Sequence, residues 1–146
     1  MITLKSITRE DINVLDDFSY GSIPKDSREQ MISHSIMRNH NGKYFEFFLI
    51  EFENKIVGVA NVVAHSQNVV SVAPEIKKDY RKQGIAKTAL EQIFCNLKDK
   101  GFKVAYAGIK EDNIASIKLN EALGFEYVQD FINSKGNRLK LFIKAL

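Results

Sequence analysis

The residues whose types and spacing most clearly suggest a chemical function form a basic segment at positions 77–87. It holds five cations and one acid, a local charge of +4, whereas the whole chain carries +3. The cations are Lys77, Lys78, Arg81, Lys82 and Lys87. Gly84 and Ala86 have little or no side chain and would let a ligand approach the backbone. This combination predicts a binding site for an anion such as a phosphate.

A strand and a helix must hold this segment in position. The β-branched run from Val69 to Ile76 predicts a strand before it. Apolar residues at helical spacing from Ala86 to Leu97 predict a helix after it. The first amides of a helix lack internal acceptors and carry partial positive charge. The predicted helix start is therefore a second reason to expect anion binding at this turn.

Length and composition are typical of one globular domain. The chain has 146 residues, of which 45% are hydrophobic and 27% charged. No apolar run approaches the ~20 residues of a membrane span, and the N-terminus lacks the apolar core of a signal peptide. The single cysteine, Cys95, fits a reducing compartment, and the three histidines have no metal-ligand spacing. We expect one domain over residues 1–146, in the cytoplasm, with no metal and no membrane partner.

The predicted elements indicate an α/β protein in the order β-α-α-β-β-β-α-β-α-β-β. The first helix begins with a capping box at Thr8-x-x-Asp11, and the second runs from about Lys25 to Arg38. Pro74 lies inside the strand that precedes the basic segment. Because proline cannot donate to a strand ladder, we expect this strand to separate from a neighbour near Pro74.

Two motifs in series resemble those of the GNAT family of N-acetyltransferases. Residues 81–86, Arg-Lys-Gln-Gly-Ile-Ala, resemble the family's Q/R-x-x-G-x-G/A motif. Residues 113–125 resemble its N-x-x-(A/S)-x-x-(L)-Y-x-x-x-G-F segment. The two come in the right order on the expected elements, with one helix and one strand between them. The element order matches from Ile2 to Leu146, which implies a mixed, mainly antiparallel sheet with a splayed V between its central strands.

The resemblance implies acetyl-CoA, or a related acyl-CoA, as co-substrate. The main-chain amides from Arg81 to Ala86 and of Lys87 would hold the pyrophosphate, and nearby lysines would add charge. The pantetheine arm would lie along Ile76 to Lys78 in the V-shaped opening, with two residues of the second motif on its far side. The cofactor-binding residues implied are Ile76, Lys77, Lys78, Arg81, Lys82, Gln83, Gly84, Ile85, Ala86, Lys87, Asn113 and Ser116.

The activity implied is direct transfer of an acetyl group to a primary amine of a small molecule or protein. The tyrosine that serves the family as acid falls at Asn120, and the glutamate base of one branch falls at Gly108. The amide that polarises the acetyl carbonyl falls at Pro74, which has no N–H. We therefore consider Tyr106 and Glu75 as substitute catalytic groups.

Other functions remain compatible with parts of the sequence. A non-catalytic acyl-CoA-binding or regulatory module would explain the missing acid–base groups. A nucleic-acid binder would use the two basic segments, but the cations from Lys135 to Lys144 alternate with apolar residues, a pattern typical of a strand with a charged outer face. A dinucleotide-binding domain would need further glycines and an acid that are absent. We expect acyl-CoA and an amine as partners, no nucleic acid, and either a monomer or a homodimer.

Overall fold

A single mixed sheet organises the chain, whose residues 1–146 are all described in a computed structural model. Its strands are Ile2–Ser6 (β1), Phe45–Phe52 (β2), Lys55–Ala64 (β3), Val69–Ile76 (β4), Val104–Ile109 (β5), Glu126–Ile132 (β6) and Arg138–Ala145 (β7). They lie in the order β1-β2-β3-β4-β5-β7-β6, and every neighbouring pair is antiparallel except β4 and β5. The predicted mixed, mainly antiparallel sheet is confirmed.

Helices complete the predicted order of elements. The α-helices are Lys25–Met37 (α1), Ile85–Asp99 (α2) and Ile114–Ala122 (α3), and the 3-10 helices are Arg9–Asp17, Ser19–Ser22 and Lys78–Tyr80. The first predicted helix is thus a 3-10 helix, although the Asp11 carboxylate accepts hydrogen bonds from the Thr8 N–H and hydroxyl, both at 2.9 Å. A side chain at Gly21 would come within 2.8 Å of the Asp16 carbonyl oxygen, so the first two 3-10 helices turn tightly against each other.

The two faces of the sheet have separate hydrophobic clusters, because side chains alternate along each strand. Phe48 and Ile50 of β2 belong to the larger cluster, which includes the apolar side of α2. Phe47 and Leu49 belong to the smaller cluster, which includes residues of α1 and of the first 3-10 helix. The sheet therefore separates α2 on one face from α1 and the first two 3-10 helices on the other.

The two parallel strands pair over a very short length. Val69 of β4 lies opposite Val104, and Val70 lies opposite Ala105, and the pairing then ends. Beyond that point β4 stays paired with β3, and β5 stays paired with β7, so the two strands diverge and leave a V-shaped opening. The separation starts before Pro74, earlier along β4 than the sequence predicts. Pro74 is therefore accommodated by the opening and does not cause it.

A buried serine completes the edge of β2 where β1 ends. The Oγ of Ser35 in α1 is buried and accepts a hydrogen bond from the Phe47 N–H at 2.8 Å. We expect Ser35→Ala to lower the free energy of unfolding by about 1–3 kcal/mol, because it leaves this buried donor without an acceptor. Ser33→Ala, at a half-buried position of the same helix, is the matched control and should change it by about 0.5 kcal/mol or less. Urea denaturation measures both, and equal losses would contradict the assignment.

Candidate functional site

The opening between β4 and β5 forms a cleft of about 680 Å³. Its walls come from these two strands, the start of α2 and the length of α3, and most of the lining is apolar. Seven of the site residues predicted from the sequence lie in this wall: Glu75, Ile76, Arg81, Ala86, Tyr106, Asn113 and Ser116.

The strand β4 directs part of its main chain into the cleft. The Lys77 N–H donates to the Val57 carbonyl oxygen at 2.8 Å, so Lys77 faces β3. Hydrogen-bonding direction alternates along an antiparallel strand, and Pro74 and Ile76 therefore face the cleft. Pro74 costs the β3–β4 ladder no hydrogen bond, and it offers no N–H to a ligand.

The turn between β4 and α2 presents a row of unpaired main-chain amides. The flanking Arg81 and Thr88 N–H groups donate to main-chain carbonyls, but no amide from Lys82 to Lys87 donates to an acceptor in the protein. Lys82 and Gly84 have left-handed backbone conformations, with φ of 61° and 77°. Such turns bring successive N–H groups together into an anion-binding concavity. We call residues 82–87 the amide nest.

The basic side chains around the amide nest point in several directions. The Lys77 ammonium group lies 3.2 Å from the Asp17 carboxylate, on the face of the sheet that carries the first two 3-10 helices. Lys87 lines a separate cavity beside the C-terminal residues, whereas Lys78 and Lys82 are exposed. Less free charge surrounds the cleft than the sequence indicates, and the main-chain amides contribute a larger share of the positive potential.

Two side chains brace the turn from within. The Arg81 Nε–H donates to the Ile76 carbonyl oxygen at 2.9 Å, and the Gln83 side-chain amide donates to the Asp79 carbonyl oxygen at 3.3 Å. Ile85 is buried and anchors the first turn of α2, so only its main chain is available to a ligand. The amide nest is therefore held in shape by the protein's own contacts.

The α3 wall of the cleft is occupied by internal hydrogen bonds. The Asn113 side-chain oxygen accepts the Ser116 N–H at 3.2 Å and caps the helix. Asn120 donates from its side-chain nitrogen to the Ser116 carbonyl oxygen at 2.8 Å. Asn120 is almost fully buried, carries no acidic proton and uses its amide N–H within α3.

Packing crowds the space beside Gly108 in β5. A Cβ atom there would lie 3.0 Å from the ring of Phe131 and 3.3 Å from the side chain of Leu139. The Phe131 ring of β6 would therefore have to shift slightly to admit a side chain at Gly108, which is itself exposed.

Glu75 is engaged by the second 3-10 helix. Its carboxylate accepts hydrogen bonds from the Ser19 N–H at 3.0 Å and from the Ser19 hydroxyl at 2.6 Å. Burial, and then the negative charge of Glu75, raise the pKa of the adjacent Tyr20, whereas a hydrogen bond from Asn61 lowers it. A substrate proton would have to compete with Ser19 for Glu75.

Tyr106 contacts a histidine that the sequence analysis did not connect with the site. The Tyr106 hydroxyl lies 3.1 Å from His65 Nε2, and the Ser71 hydroxyl lies 2.9 Å from the same nitrogen. Burial, and then the positive charge of Lys43, lower the pKa of His65 from its ordinary 6.5, so its imidazole is neutral at neutral pH. The hairpin of β3 and β4, which the sequence predicts, indicates that His65 and Ser71 lie close together. The approach of Tyr106 could not be predicted in this way, because it depends on the pairing of β4 with β5.

Three other features of the chain lie outside the description of the cleft. No group of three or more His, Cys, Asp or Glu side chains is arranged to hold a metal ion. No helix is long and apolar enough to cross a membrane. Cys95 is free and exposed, and it does not line the cleft.

Comparison with known proteins assigns the family. The sequence matches the model of the acetyltransferase (GNAT) family over residues 10–125. The chain belongs to the GNAT family. A comparison with functionally curated protein sequences gives no significant match.

Solved structures of GNAT N-acetyltransferases share the fold. An N-acetyltransferase from Staphylococcus aureus Mu50 has 20% identity and a TM-score of 0.80, and the alignment covers 99% of this chain and 98% of that one. A ribosomal L7/L12 α-N-protein acetyltransferase in complex with coenzyme A has 12% identity and a TM-score of 0.84, with 99% and 94% covered. A spermidine N-acetyltransferase chimera from Vibrio cholerae and hSSAT has 16% identity and a TM-score of 0.81, with 98% and 95% covered. Identities this low show the fold alone, and the predicted GNAT fold is confirmed.

The crowding beside Gly108 can be tested by mutation. We expect Gly108→Glu to lower the free energy of unfolding by about 1–3 kcal/mol, because the Cβ of the new side chain crowds the Phe131 ring and forces it to shift. The loss should be smaller in a Phe131→Ala background, where the ring is gone. A double-mutant cycle by urea denaturation measures this coupling, and an equal loss in both backgrounds would contradict the packing explanation.

Proposed function

We propose that the chain is an acetyl-CoA-dependent N-acetyltransferase that transfers an acetyl group to a primary amine of a small molecule or protein. Residues 1–146 would form one acyl-CoA N-acyltransferase domain, acting in the cytoplasm. The observation that carries the proposal is the amide nest, six consecutive unpaired N–H groups at the mouth of a cleft between diverging strands. A diphosphate has the negative charge and the number of acceptor oxygens to use such an array.

The residues around the cleft suit an extended acyl-CoA molecule. The amide nest would bind the diphosphate, with Lys78 and Lys82 close enough in sequence to add charge. The edge of β4 that faces the cleft has no partner in β5 beyond Val70, so its main chain can hydrogen-bond the amides of the pantetheine arm. Asn113 and Ser116 of α3 would line the opposite side. Bound acetyl-CoA would supply a thioester, whose carbonyl carbon is the centre that an amine attacks.

The amine would approach from the face of the sheet opposite α2. Ala105, Ala107 and Ile109 of β5 pack on the α2 side, so Tyr106 lies on the other face. Glu75 also lies there, where it contacts Ser19 of the second 3-10 helix. The named activities of two structural neighbours, on a ribosomal protein N-terminus and on spermidine, are both acetylations of amines and support this acceptor class.

Of the two candidate catalytic groups, Tyr106 fits the chemistry better. Tyr106 lines the cleft, and its hydroxyl contacts a neutral imidazole, which is a suitable proton acceptor. The Glu75 carboxylate is instead engaged by both polar groups of Ser19. We assign Tyr106 to proton transfer, and Glu75 to holding the second 3-10 helix against the acceptor side of the cleft.

The role of the amide nest is tested by comparing two glycine variants. Gly84→Glu should weaken acetyl-CoA binding at least about tenfold, equivalent to about 1.4 kcal/mol, because its carboxylate would enter the site meant for the diphosphate. Gly101→Glu, at the other end of α2, is the matched control. Both glycines have positive φ, of 77° and 99°, and open space where a Cβ would lie. Calorimetry with acetyl-CoA measures the affinities, and equal affinities for the two variants would contradict the proposal.

A non-catalytic acyl-CoA-binding module is the second candidate function. It is favoured by two features of the cleft: Asn120 carries no acidic proton, and the space beside Gly108 is crowded by Phe131. We expect the wild-type chain to release coenzyme A thiol when acetyl-CoA is supplied with a panel of primary amines, polyamines and N-terminal peptides. Tight binding of acetyl-CoA without thiol release across that panel would identify the binding module instead.

A further inference from the structure

We propose that Tyr106 and His65 form a proton relay from the cleft to solvent, with Tyr106 as the catalytic residue and His65 as the residue that takes up its proton. The relay rests on the proposed acetyltransferase function. It assigns the acid–base chemistry to a pair on the face of β5 opposite to α2 and α3, the face that Tyr106 shares with Gly108.

The geometry places the two side chains in series. Tyr106 lines the cleft, whereas His65 does not line it and is exposed to solvent. The Tyr106 hydroxyl lies 3.1 Å from His65 Nε2, within the range of a hydrogen bond. A single phenol and a single imidazole therefore connect the cleft with bulk water.

A serine holds the imidazole in place beside the phenol. The Ser71 hydroxyl lies 2.9 Å from His65 Nε2, and Ser71 stands on β4 while Tyr106 stands on β5. The two hydroxyls share the single lone pair of Nε2 at the point where the two strands have just begun to diverge. The His65 and Tyr106 rings also pack with their centroids 4.8 Å apart.

The charges around His65 favour a neutral ring. Lys43 faces it from the segment before β2, Ser71 and Tyr106 face it from β4 and β5, and no acid is among its hydrogen-bond partners. Partial burial and the Lys43 charge both lower the pKa of His65. A neutral imidazole can accept a proton at neutral pH, which an imidazolium cannot.

With this relay, every bond and proton of the acetyl-transfer step is accounted for. The amine nitrogen forms a bond to the acyl carbon, and the carbon–sulfur bond breaks with its electron pair leaving on sulfur. The nitrogen proton passes to the Tyr106 oxygen as Tyr106 donates its own proton to His65 Nε2. His65 then releases a proton to water, and the thiolate takes one from water. The net reaction converts amine and thioester to amide and thiol, without an oxidant or reductant.

Kinetics of a His65→Gln variant test the relay. Glutamine keeps a polar side chain but does not titrate, so kcat should fall by about 10- to 100-fold with the amine that the wild-type chain acetylates best. The acidic limb of kcat against pH that His65 produces, below its ordinary pKa of 6.5, should disappear in this variant. Acetyl-CoA affinity by calorimetry should not change, since His65 does not line the cleft. His40→Gln, at another exposed histidine, is the matched control and should leave rate and pH profile unchanged.

Titration of the free protein supplies a readout that does not depend on turnover. A hydrogen bond donated by Tyr106 to Nε2 stabilises the neutral ring, so Tyr106→Phe should raise the pKa of His65. NMR of the histidine ring nuclei measures the pKa of His65 in the variant and in the wild type.

The possible results separate the two proposals. An unchanged His65 pKa in Tyr106→Phe, or a wild-type rate and pH profile in His65→Gln, would overturn the relay alone. No thiol release by the wild-type chain with any amine of the panel would overturn the acetyltransferase function and the relay with it.

Discussion

The parallel pairing of β4 and β5 ends after two residues, and the rest of the site depends on this divergence. Each strand keeps its outer partner, β3 for one and β7 for the other, so neither can follow the other across the gap. Main-chain groups that would have formed a ladder instead face a cleft. A proline is tolerated in the middle of a central sheet only because its side of β4 has no partner there.

The anion site that we propose at the mouth of this cleft is built mainly from the backbone. Lysines are numerous in the turn, but Lys77 pairs with Asp17 on the other face and Lys87 lines another cavity. The left-handed conformations at Lys82 and Gly84 orient amides that have no acceptor of their own. Arg81 contributes through its hydrogen bond to the Ile76 carbonyl oxygen, which ties the turn to the end of β4.

Both candidate catalytic side chains, Tyr106 and Glu75, lie on one face of the sheet. Asn120, on the other side of the cleft, bonds back to its own helix. None of the α3 residues that line the cleft is titratable. Tyr106 points to the opposite face of the sheet, where the loop after β3 brings His65 to it. Tyr106 and Gly108 lie two residues apart on β5 and share this face, so Tyr106 offers a hydroxyl there whereas Gly108 offers no side chain.

Local patterns in the sequence were enough to predict the order of elements and the strand–turn–helix unit with its small residues. Capping, alternation and backbone preference depend on near neighbours in sequence, and these neighbours are visible without the fold. The two motifs and that order were enough to predict the GNAT fold, which the comparisons confirm. Only the tertiary structure decided where β4 leaves β5, that Lys77 turns to Asp17, and that Tyr106 meets His65. The last two contacts join residues 60 and 41 positions apart, through strands whose pairing no local pattern specifies. Long-range strand pairing and packing decide which partner a side chain meets, because its neighbours in sequence are compatible with several.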